Sequence, residues 1–309
     1  MKVSAALKAM KGVTPQLLNA SNESLIAVHA DTVNQFTKVY SPLSNREKVL
    51  DFGCMAGATT NAIAKGELGS LGKPESIIGA DVSVMTDHCK STYDTPGLTF
   101  KHCDDVESKD WAQFCQQQNK GKMDLITTFS YIQDIENQPK AIQLFNSALK
   151  TGGKFCFFVK TSQNLETNAL RREFENMKRE SQWSKMLSGV SYPHLGITHK
   201  NSSWMTTVDS NGYGPITEKD YVKLMENNGF KVAHSENKTA YLVFSEDFIR
   251  NYFKTIIKPA LTSMPEKDKQ LFMEEYVRRV RSQRTLNSDG NYEIYVDGFD
   301  IVGEKHRDV

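Results

Sequence analysis

Short apolar runs alternate with helix-like segments from residue 48 to residue 160, and this alternation restricts the possible folds more than any other feature. The apolar runs are 48–54, 76–82, 98–103, 123–129 and 154–160, and the helix-like segments between them are 58–66, 84–93, 110–118 and 139–150. Apolar runs of this length are typical of buried parallel strands, which need helical crossovers between them. The pattern therefore predicts an α/β fold with a doubly wound, mostly parallel sheet that has helices on both faces.

The alternation stops at the end of the fifth apolar run. Residues 161–215 combine a charged helical part at 170–186 with a loop rich in Ser, Gly, His and Pro. This stretch is too long for an ordinary connection, so we predict an insertion or lid over 161–215. A second, mostly helical lid insertion is predicted over 245–284, with interruptions at Pro259 and Pro265.

Two further strands are predicted around the second insertion. The first covers 230–244, bends near its middle and follows a helix at 218–228, and the second covers 292–303. A strand that returns after a helical excursion is expected to form an antiparallel edge of the sheet. Residues 1–47 are predicted to be a helical segment that helps to cover the functional site, ahead of a domain over 48–309.

Charge and apolar patterning restrict the partners of this chain. The 38 Lys and Arg residues balance 37 Asp and Glu residues, whereas a nucleic-acid binder usually has a strongly basic face. No apolar run reaches the roughly 18 residues of a membrane-spanning helix, and Lys8 and Lys11 interrupt any signal-peptide core. Five cysteines without a CxxC pair are typical of buried thiols in a reducing compartment, and no metal site is predicted. We expect a cytoplasmic monomer or homodimer that binds no nucleic acid or membrane.

Polar residues and glycines follow four of the predicted strands at their carboxyl ends, which is where doubly wound sheets bind ligands. The candidate cofactor-binding residues are Asp51, Gly53, Cys54 and Gly57 after the first strand, Asp81 and Val82 after the second, Asp104 and Asp105 after the third, and Phe129 and Ser130 after the fourth. An aspartate at such a position can also cap the following helix. The shared edge of all these residues nevertheless favours a ligand site, with backbone N–H groups at the start of the first helix as donors.

The spacing of the glycines distinguishes two kinds of cofactor. A nicotinamide dinucleotide site expects G-x-G-x-x-G, whereas this loop has glycine only at positions 53 and 57. Asp51 stands two residues before the first glycine and suits a cofactor that carries an ammonium group and no pyrophosphate, and Asp81 suits ribose hydroxyls. The loop therefore favours S-adenosylmethionine.

Five segments resemble the successive motifs of class I S-adenosylmethionine-dependent methyltransferases. VLDFGCMAG is similar to the first motif, h-h-D-h-G-C-G-x-G, and IIGADVS, FKHCDD, MDLITTFSYIQDI and LKTGGKFCFFV follow in the expected order. The resemblance implies a Rossmann-like, seven-stranded sheet with a reversed last strand. It also implies that Asp51 and the loop backbone hold the methionine moiety, Asp81 the ribose and Asp104 the adenine amine.

A narrower resemblance covers most of the chain. LIAVHADTVNQF, the first lid, SMPEKDKQLFMEEYVRRV and YEIYVDGFDIVGEK resemble juvenile hormone acid (farnesoic acid) O-methyltransferases. Those enzymes esterify isoprenoid or fatty carboxylic acids, so the resemblance implies the same reaction for a small-molecule substrate.

Two departures from the family pattern bear on the chemistry. Met55 replaces the middle glycine, and we predict that its side chain leaves the pocket. Gln133 and Asp134 replace a His-Trp pair whose Trp helps to hold the substrate carboxylate in the family. An acidic Asp134 would repel a carboxylate unless it turns away.

The methyl acceptor can therefore be of two kinds. A carboxylate is already ionised at pH 7 and needs only hydrogen-bond donors, for which Gln133 and His194 are candidates. An amine or phenol would need a proton acceptor, and Asp134 or a histidine could serve. O-methylation of a carboxylic acid is our first interpretation. N-methylation of a small amine, or a non-catalytic cofactor-binding relative, is the alternative.

Overall fold

A seven-stranded sheet forms the centre of the computed structural model of the chain. The structure describes residue 15 and residues 22–103, 109–129, 131–135, 137–160, 165–190, 198–200, 213–215, 217–262, 264–282 and 286–309. The strands are β1 Leu43–Ser44, β2 Lys48–Phe52, β3 Gly72–Lys73, β4 Ser76–Asp81, β5 Leu98–His102, β6 Met123–Phe129, β7 Leu149–Lys160, β8 Thr198–Lys200, β9 Tyr213–Pro215, β10 Phe230–Phe244 and β11 Tyr292–Lys305. The large sheet has the order β10-β11-β7-β6-β2-β4-β5, and β11 alone in it runs opposite to the other six strands.

Helices connect these strands and cover them. The helices are α1 Asn22–Val39, α2 Ala58–Lys65, α3 Ser83–Thr92, α4 Lys109–Gln113 with a π-helical continuation Phe114–Gln118, α5 Gln138–Ala148, α6 Leu165–Arg179, α7 Glu218–Asn227, α8 Glu246–Ile257 and α9 Glu266–Ser282. Short 3₁₀ helices cover Ile132–Asp134 and Lys258–Leu261. Among the described helices, none has the length and apolar character needed to cross a membrane.

Alternating side chains of the strands pack into two separate apolar cores, one on each face of the sheet. On β7, Cys156 and Phe158 enter the core that contains residues of α1, α2, α6, α8 and α9, whereas Phe155 and Phe157 enter the core formed with α4, α5 and α7. Successive side chains of a strand point to opposite faces, so a strand buried on both faces reads as an unbroken apolar run. The predicted doubly wound α/β sheet with an antiparallel last strand is thus confirmed.

The position of the last strand corrects the expectation of an antiparallel edge. β11 lies between β7 and β10, and β10 forms the edge. The segment from Phe299 to Gly303 is buried without interruption, as an interior strand requires, whereas β10 is exposed at many of its positions. β11 therefore gains more burial inside the sheet than it would at the edge.

Two element boundaries and the position of one strand irregularity also differ from the sequence-based prediction. Strand β7 starts at Leu149 rather than residue 154, because Leu149 is fully buried and pairs with Met123 of β6. Helix α6 ends at Arg179, and the turns after it bring Trp183 against Phe272 of α9, with ring centroids 5.1 Å apart. The irregularity in β10 lies between Val232 and His234, not near its middle, where pairing with β11 is regular.

A buried polar network holds α1 against the sheet. The hydroxyl of Thr32 donates to Asp300 Oδ1 of β11 at 2.7 Å, and Lys238 of β10 lies 2.7 Å from Asp300 Oδ2. Lys238 also reaches Asp31 at 2.9 Å, and it lies over the Phe158 ring. Because Asp300 is almost fully buried, this pairing fixes where α1 sits above the strand ends.

Candidate functional site

The loop between β2 and α2 depends on two glycines. Gly53 and Gly57 have φ angles of 78° and 83°, which side chains rarely adopt. A Cβ on Gly53 would lie 2.2 Å from the Tyr131 ring, and one on Gly57 would lie 2.7 Å from Cys89 Sγ. The glycines therefore let the loop turn tightly beneath neighbouring side chains. Gly53 also bonds to β4, since its N–H donates to Ala80 O at 2.8 Å.

Met55 retains the left-handed backbone conformation that glycine adopts easily. Its φ is 52°, and its N–H donates to Asp81 Oδ2 at 2.7 Å. Its carbonyl accepts a hydrogen bond from Cys89 Sγ at 3.4 Å. The side chain packs against a small apolar cluster with Met85 and Val82, and the residue also borders the adjoining cavity. Hydrogen bonds at both ends thus hold a conformation that costs a non-glycine residue about 1–2 kcal/mol.

Asp51 is a buried carboxylate at the end of β2. It accepts hydrogen bonds from the hydroxyls of Thr60 at 2.6 Å and Thr127 at 2.8 Å. Burial raises the pKa of Asp51 to about 6, and the two hydroxyls act against that rise. The carboxyl is therefore mostly ionised at pH 7, and its oxygens retain lone pairs for a cationic ligand.

Asp81 ends the neighbouring strand β4 in a similar state. Its two oxygens accept from the backbone N–H groups of Met55 and Val82, each at 2.7 Å. Burial raises the pKa of Asp81 to about 6, and the nearby Asp51 adds to the rise, while the backbone donors oppose it. Since a carboxylate oxygen can accept a second bond, Asp81 keeps acceptor capacity for hydroxyl groups while it fixes the loop.

A small cavity lies where α1 crosses the ends of β2 and β6. The described residues around it are Leu25, His29, Asp51, Gly53, Cys54, Met55, Ala56, Gly57, Ala58, Thr59 and Phe129. The lining combines an apolar cover, one carboxylate and the backbone at the start of α2. This composition fits a small organic ligand with a cationic group.

His29 of α1 is the residue that sequence reasoning missed. Its ring stacks on Phe129 with centroids 4.5 Å apart, and its Nδ1 lies 2.7 Å from Thr59 Oγ1. Burial, followed by the positive charges of Lys160 and Lys238, lowers the pKa of His29 to about 3. A signal was present, since His29 shares the helical spacing of the apolar residues that face the core.

The structure gathers part of the predicted cofactor set. Asp51, Gly53, Cys54, Gly57 and Phe129 line the cavity, and Asp81 and Val82 are joined to it through the loop. Burial and the adjacent Cys89 thiol raise the pKa of Cys54 well above its usual value, so it is a neutral thiol. The predicted residues Asp104, Asp105, Ser130 and His194 lie outside the described residues.

Gln133 and Asp134 fall in the 3₁₀ helix that follows β6. Gln133 is buried and lies outside the group of described residues that line the cavity. Its carbonyl accepts a hydrogen bond from Gln138 Nε2 at 3.4 Å. The side chain of Asp134 is outside the described part of the structure.

Two features together define the class I methyltransferase architecture. One is the seven-stranded sheet with reversed β11, and the other is the glycine loop between buried Asp51 and Asp81. The family model described as "Methyltransferase domain" matches residues 26–235. The chain belongs to this methyltransferase domain family, and its cofactor is S-adenosylmethionine. The residues around the cavity fit that cofactor, with a carboxylate for its ammonium group and a glycine loop for close approach.

Solved structures that resemble this chain are distant in sequence. The YcgJ protein from Bacillus subtilis is 15% identical, with 90% of this chain and 100% of that chain covered and a TM-score of 0.48. Geranyl diphosphate C-methyltransferase from Streptomyces coelicolor A3(2), solved with Mg²⁺, geranyl diphosphate and S-adenosylhomocysteine, is 10% identical, with coverages of 88% and 76% and a TM-score of 0.43.

A third structure is phosphoethanolamine N-methyltransferase 2 from Haemonchus contortus, in complex with phosphomonomethylethanolamine and S-adenosylhomocysteine. It is 15% identical, with 90% of this chain and 52% of that chain covered and a TM-score of 0.44. No curated protein sequence matches the chain. At these scores, the ligands in the last two structures say nothing about the substrate of this protein.

Proposed function

We propose that this methyltransferase acts on a small molecule and O-methylates a fatty or isoprenoid carboxylic acid. The observation that supports this choice is the apolar cover of the cavity, to which Leu25 and Phe129 contribute. An apolar wall favours a hydrophobic acceptor, and a carboxylate acceptor needs no general base among the cavity residues. The resemblance to juvenile hormone acid O-methyltransferases supports the same substrate class.

In the proposed reaction, the protein positions the cofactor and the acceptor and does not need to transfer a proton. S-adenosylmethionine supplies an electrophilic methyl group, and a carboxylate oxygen can attack it without a general base. Asp51 and the backbone around Gly53 and Gly57 would hold the methionine moiety, and Asp81 would accept from the ribose hydroxyls. Leu25 and Phe129 line the cavity, and their apolar side chains would limit water there, which favours attack by a poorly solvated carboxylate.

We also propose that three segments cover the site. Residues 1–47 and the insertions 161–215 and 245–284 would close over the strand ends, with α1 as the fixed part of this cover. Hydrogen exchange over residues 188–204 should slow when S-adenosylhomocysteine and substrate are added together. Equal exchange with and without the ligands would contradict a lid in this region. We further propose that the protein is a cytoplasmic monomer or homodimer that binds no nucleic acid or membrane.

N-methylation of a small amine is the second candidate function, because Asp134 replaces the Trp that holds the carboxylate in the family. An acidic side chain there would hold an ammonium group or accept its proton. The variant Asp134→Asn separates the two functions. It should leave acid methylation unchanged or slightly faster, and it should slow amine methylation about 100-fold.

Radiolabelled S-adenosylmethionine with a panel of carboxylic acids, amines and phenols tests the proposal directly. We expect label transfer to a long-chain or isoprenoid acid, with a rate at saturating S-adenosylmethionine that stays flat with pH down to the pKa of the acid, about 4–5. Transfer to an amine alone would support the second function. Cofactor binding without transfer to any acceptor would support a non-catalytic relative.

A further inference from the structure

His29 carries a buried nitrogen whose hydrogen-bonding capacity is unused among the described residues. The residue is 4% exposed and lines the cavity, and its Nε2 has no hydrogen-bond partner within the described part of the chain. Buried polar atoms are nearly always paired in native proteins, so such an atom beside a cavity indicates a ligand. The cost of an unpaired imidazole nitrogen is relieved when the ligand binds.

The contact with Thr59 determines which ring nitrogen carries the proton. Thr59 is buried, and within the described structure Nδ1 of His29 is the one hydrogen-bond partner of its hydroxyl. If Nδ1 held the proton, the Thr59 hydroxyl proton would have no acceptor there. The favoured arrangement has the hydroxyl donating to Nδ1, which leaves the proton on Nε2. His29 therefore presents an N–H donor to the cavity.

The charged groups around His29 keep its ring neutral, and none of them in the described structure accepts from that donor. Lys160 at the end of β7 and Lys238 of β10 both make the ring harder to protonate. Lys238 is paired with Asp31 of α1 and Asp300 of β11. The carboxylate on the cavity wall, Asp51, already accepts from Thr60 and Thr127. The N–H donor is thus left for a ligand, and a carboxylate is the ligand group that matches it best.

We propose that His29 is a ligand-contacting residue whose Nε2–H donates a hydrogen bond to a carboxylate oxygen in the cavity. This inference rests on the proposed function, which supplies two sources of that carboxylate. One is the methionine carboxylate of the cofactor, whose ammonium group would face Asp51 in the same cavity. The other is the carboxylate of the methyl acceptor. Stacking on Phe129 and the bond to Thr59 hold the ring in place for either.

Calorimetry with two cofactor fragments tests the first source. S-adenosylhomocysteine contains the amino-acid carboxylate, and 5′-methylthioadenosine lacks the whole amino-acid part. His29→Leu should weaken S-adenosylhomocysteine binding about 10- to 100-fold and leave 5′-methylthioadenosine binding within about twofold. His29→Gln should restore much of the lost affinity, because its amide nitrogen lies near the position of Nε2 and can donate.

The second source predicts a different pattern. If the acceptor carboxylate is the partner, both fragments should bind to His29→Leu with unchanged affinity. The KM for an acid that serves as methyl acceptor should then rise about tenfold or more. His29→Gln should again reverse most of the change. No change in fragment affinity or in acceptor KM for His29→Leu would overturn the inference. Failure of the wild-type protein to bind S-adenosylhomocysteine would instead overturn the proposed function.

Two controls keep the test independent of folding. Asn146→Ala removes buried hydrogen bonds to Asn228 O and Arg307 O, away from α1 and the cavity, so it should lower stability and leave the fragment selectivity unchanged. Nitrogen NMR of the wild-type protein needs no variant at all. The His29 ring should show one neutral tautomer with the proton on Nε2, and that resonance should shift when the carboxylate-bearing ligand is added. A proton on Nδ1 in both states would contradict the proposal.

Discussion

Single residues in this structure serve the loop and the ligand at once, and Asp81 is the clearest example. Its carboxylate is buried, accepts from the N–H groups of Met55 and Val82, and stands at the strand end where a ribose is expected. The same atoms therefore shape the loop and remain available for hydroxyl groups. A substitution there should change ligand affinity through both effects.

Asp81→Ala should weaken binding of S-adenosylhomocysteine about tenfold or more, because it removes charge-assisted hydrogen bonds worth about 1.5–3 kcal/mol. Calorimetry measures this change. Asp124→Ala is a matched control, since Asp124 is also a strand carboxylate but accepts from the Lys48 N–H at the amino end of β6. The control should bind normally, and unchanged affinity in Asp81→Ala would remove Asp81 from the cofactor site.

Met55→Gly tests whether the departure from the glycine pattern impairs the loop. Relief of the left-handed strain is offset by the added flexibility of the unfolded chain, so the free energy of unfolding should change by about 1 kcal/mol or less. Cofactor affinity should change less than about tenfold. Asn45→Gly, at the other described non-glycine residue with positive φ (64°), should affect stability alone. A far larger gain in affinity would show that Met55 obstructs the site.

At the scale of elements, helix α1 is held in place by polar contacts with two strands that are remote in sequence. Asp300 of β11 accepts from Thr32 and pairs with Lys238 of β10, and Thr32 and Asp300 are both buried. Because α1 carries His29, this network also determines where that ring lies. The cover of the cavity thus depends on the strand pair at the far side of the sheet.

Asp300→Ala should lower the free energy of unfolding by about 3 kcal/mol, because it removes the buried carboxylate that pairs with the partly buried Lys238 ammonium. Urea unfolding measures the change. Asp31→Ala removes the exposed partner of the same lysine and should cost less than about 1 kcal/mol. Equal costs for the two substitutions would mean that the buried pair does not hold the helix.

At the scale of the whole molecule, two carboxyls buried at neighbouring strand ends link ligand binding to pH. Burial raises the pKa of both Asp51 and Asp81 to about 6, above the value of 3.8 for an ordinary aspartate. The native protein therefore binds protons more tightly than the unfolded chain between about pH 4 and 6. As the pH rises through that window, these two groups lower the free energy of unfolding. The ligand-free protein is therefore destabilised by their buried charges at neutral pH.

Binding of the cofactor ammonium should reduce that destabilisation, because a nearby cation favours the ionised carboxylates. We expect affinity for S-adenosylhomocysteine to fall as the pH drops from 7 to 5, with proton release on binding near pH 6. Calorimetry in buffers of different ionisation enthalpy measures the released protons. Asp51→Asn should reduce the proton release and leave the contribution of Asp81. A pH profile that is unchanged in this variant would contradict the prediction, since His29, with a pKa of about 3, stays neutral there.

Local patterns determined most of the sheet and the first half of the site. β6 and β10 have the bounds predicted from the sequence, and the loop from Asp51 to Gly57 lies between a strand and a helix as predicted. These features depend on apolar periodicity and on glycine conformations, which short segments specify without help from the rest of the chain. The motif residues at the ends of β2, β4 and β6 follow, because parallel strands end at one edge.

Tertiary contacts decided what no local pattern contains. β11 lies inside the sheet because its buried centre is covered on both faces only between β7 and β10. Asp81 turns toward the Met55 N–H, and His29 becomes a neutral donor above Phe129, because residues distant in sequence bury them together. Burial and hydrogen-bond pairing depend on the whole packing arrangement, so the chemical state of these two side chains emerged only when the chain folded.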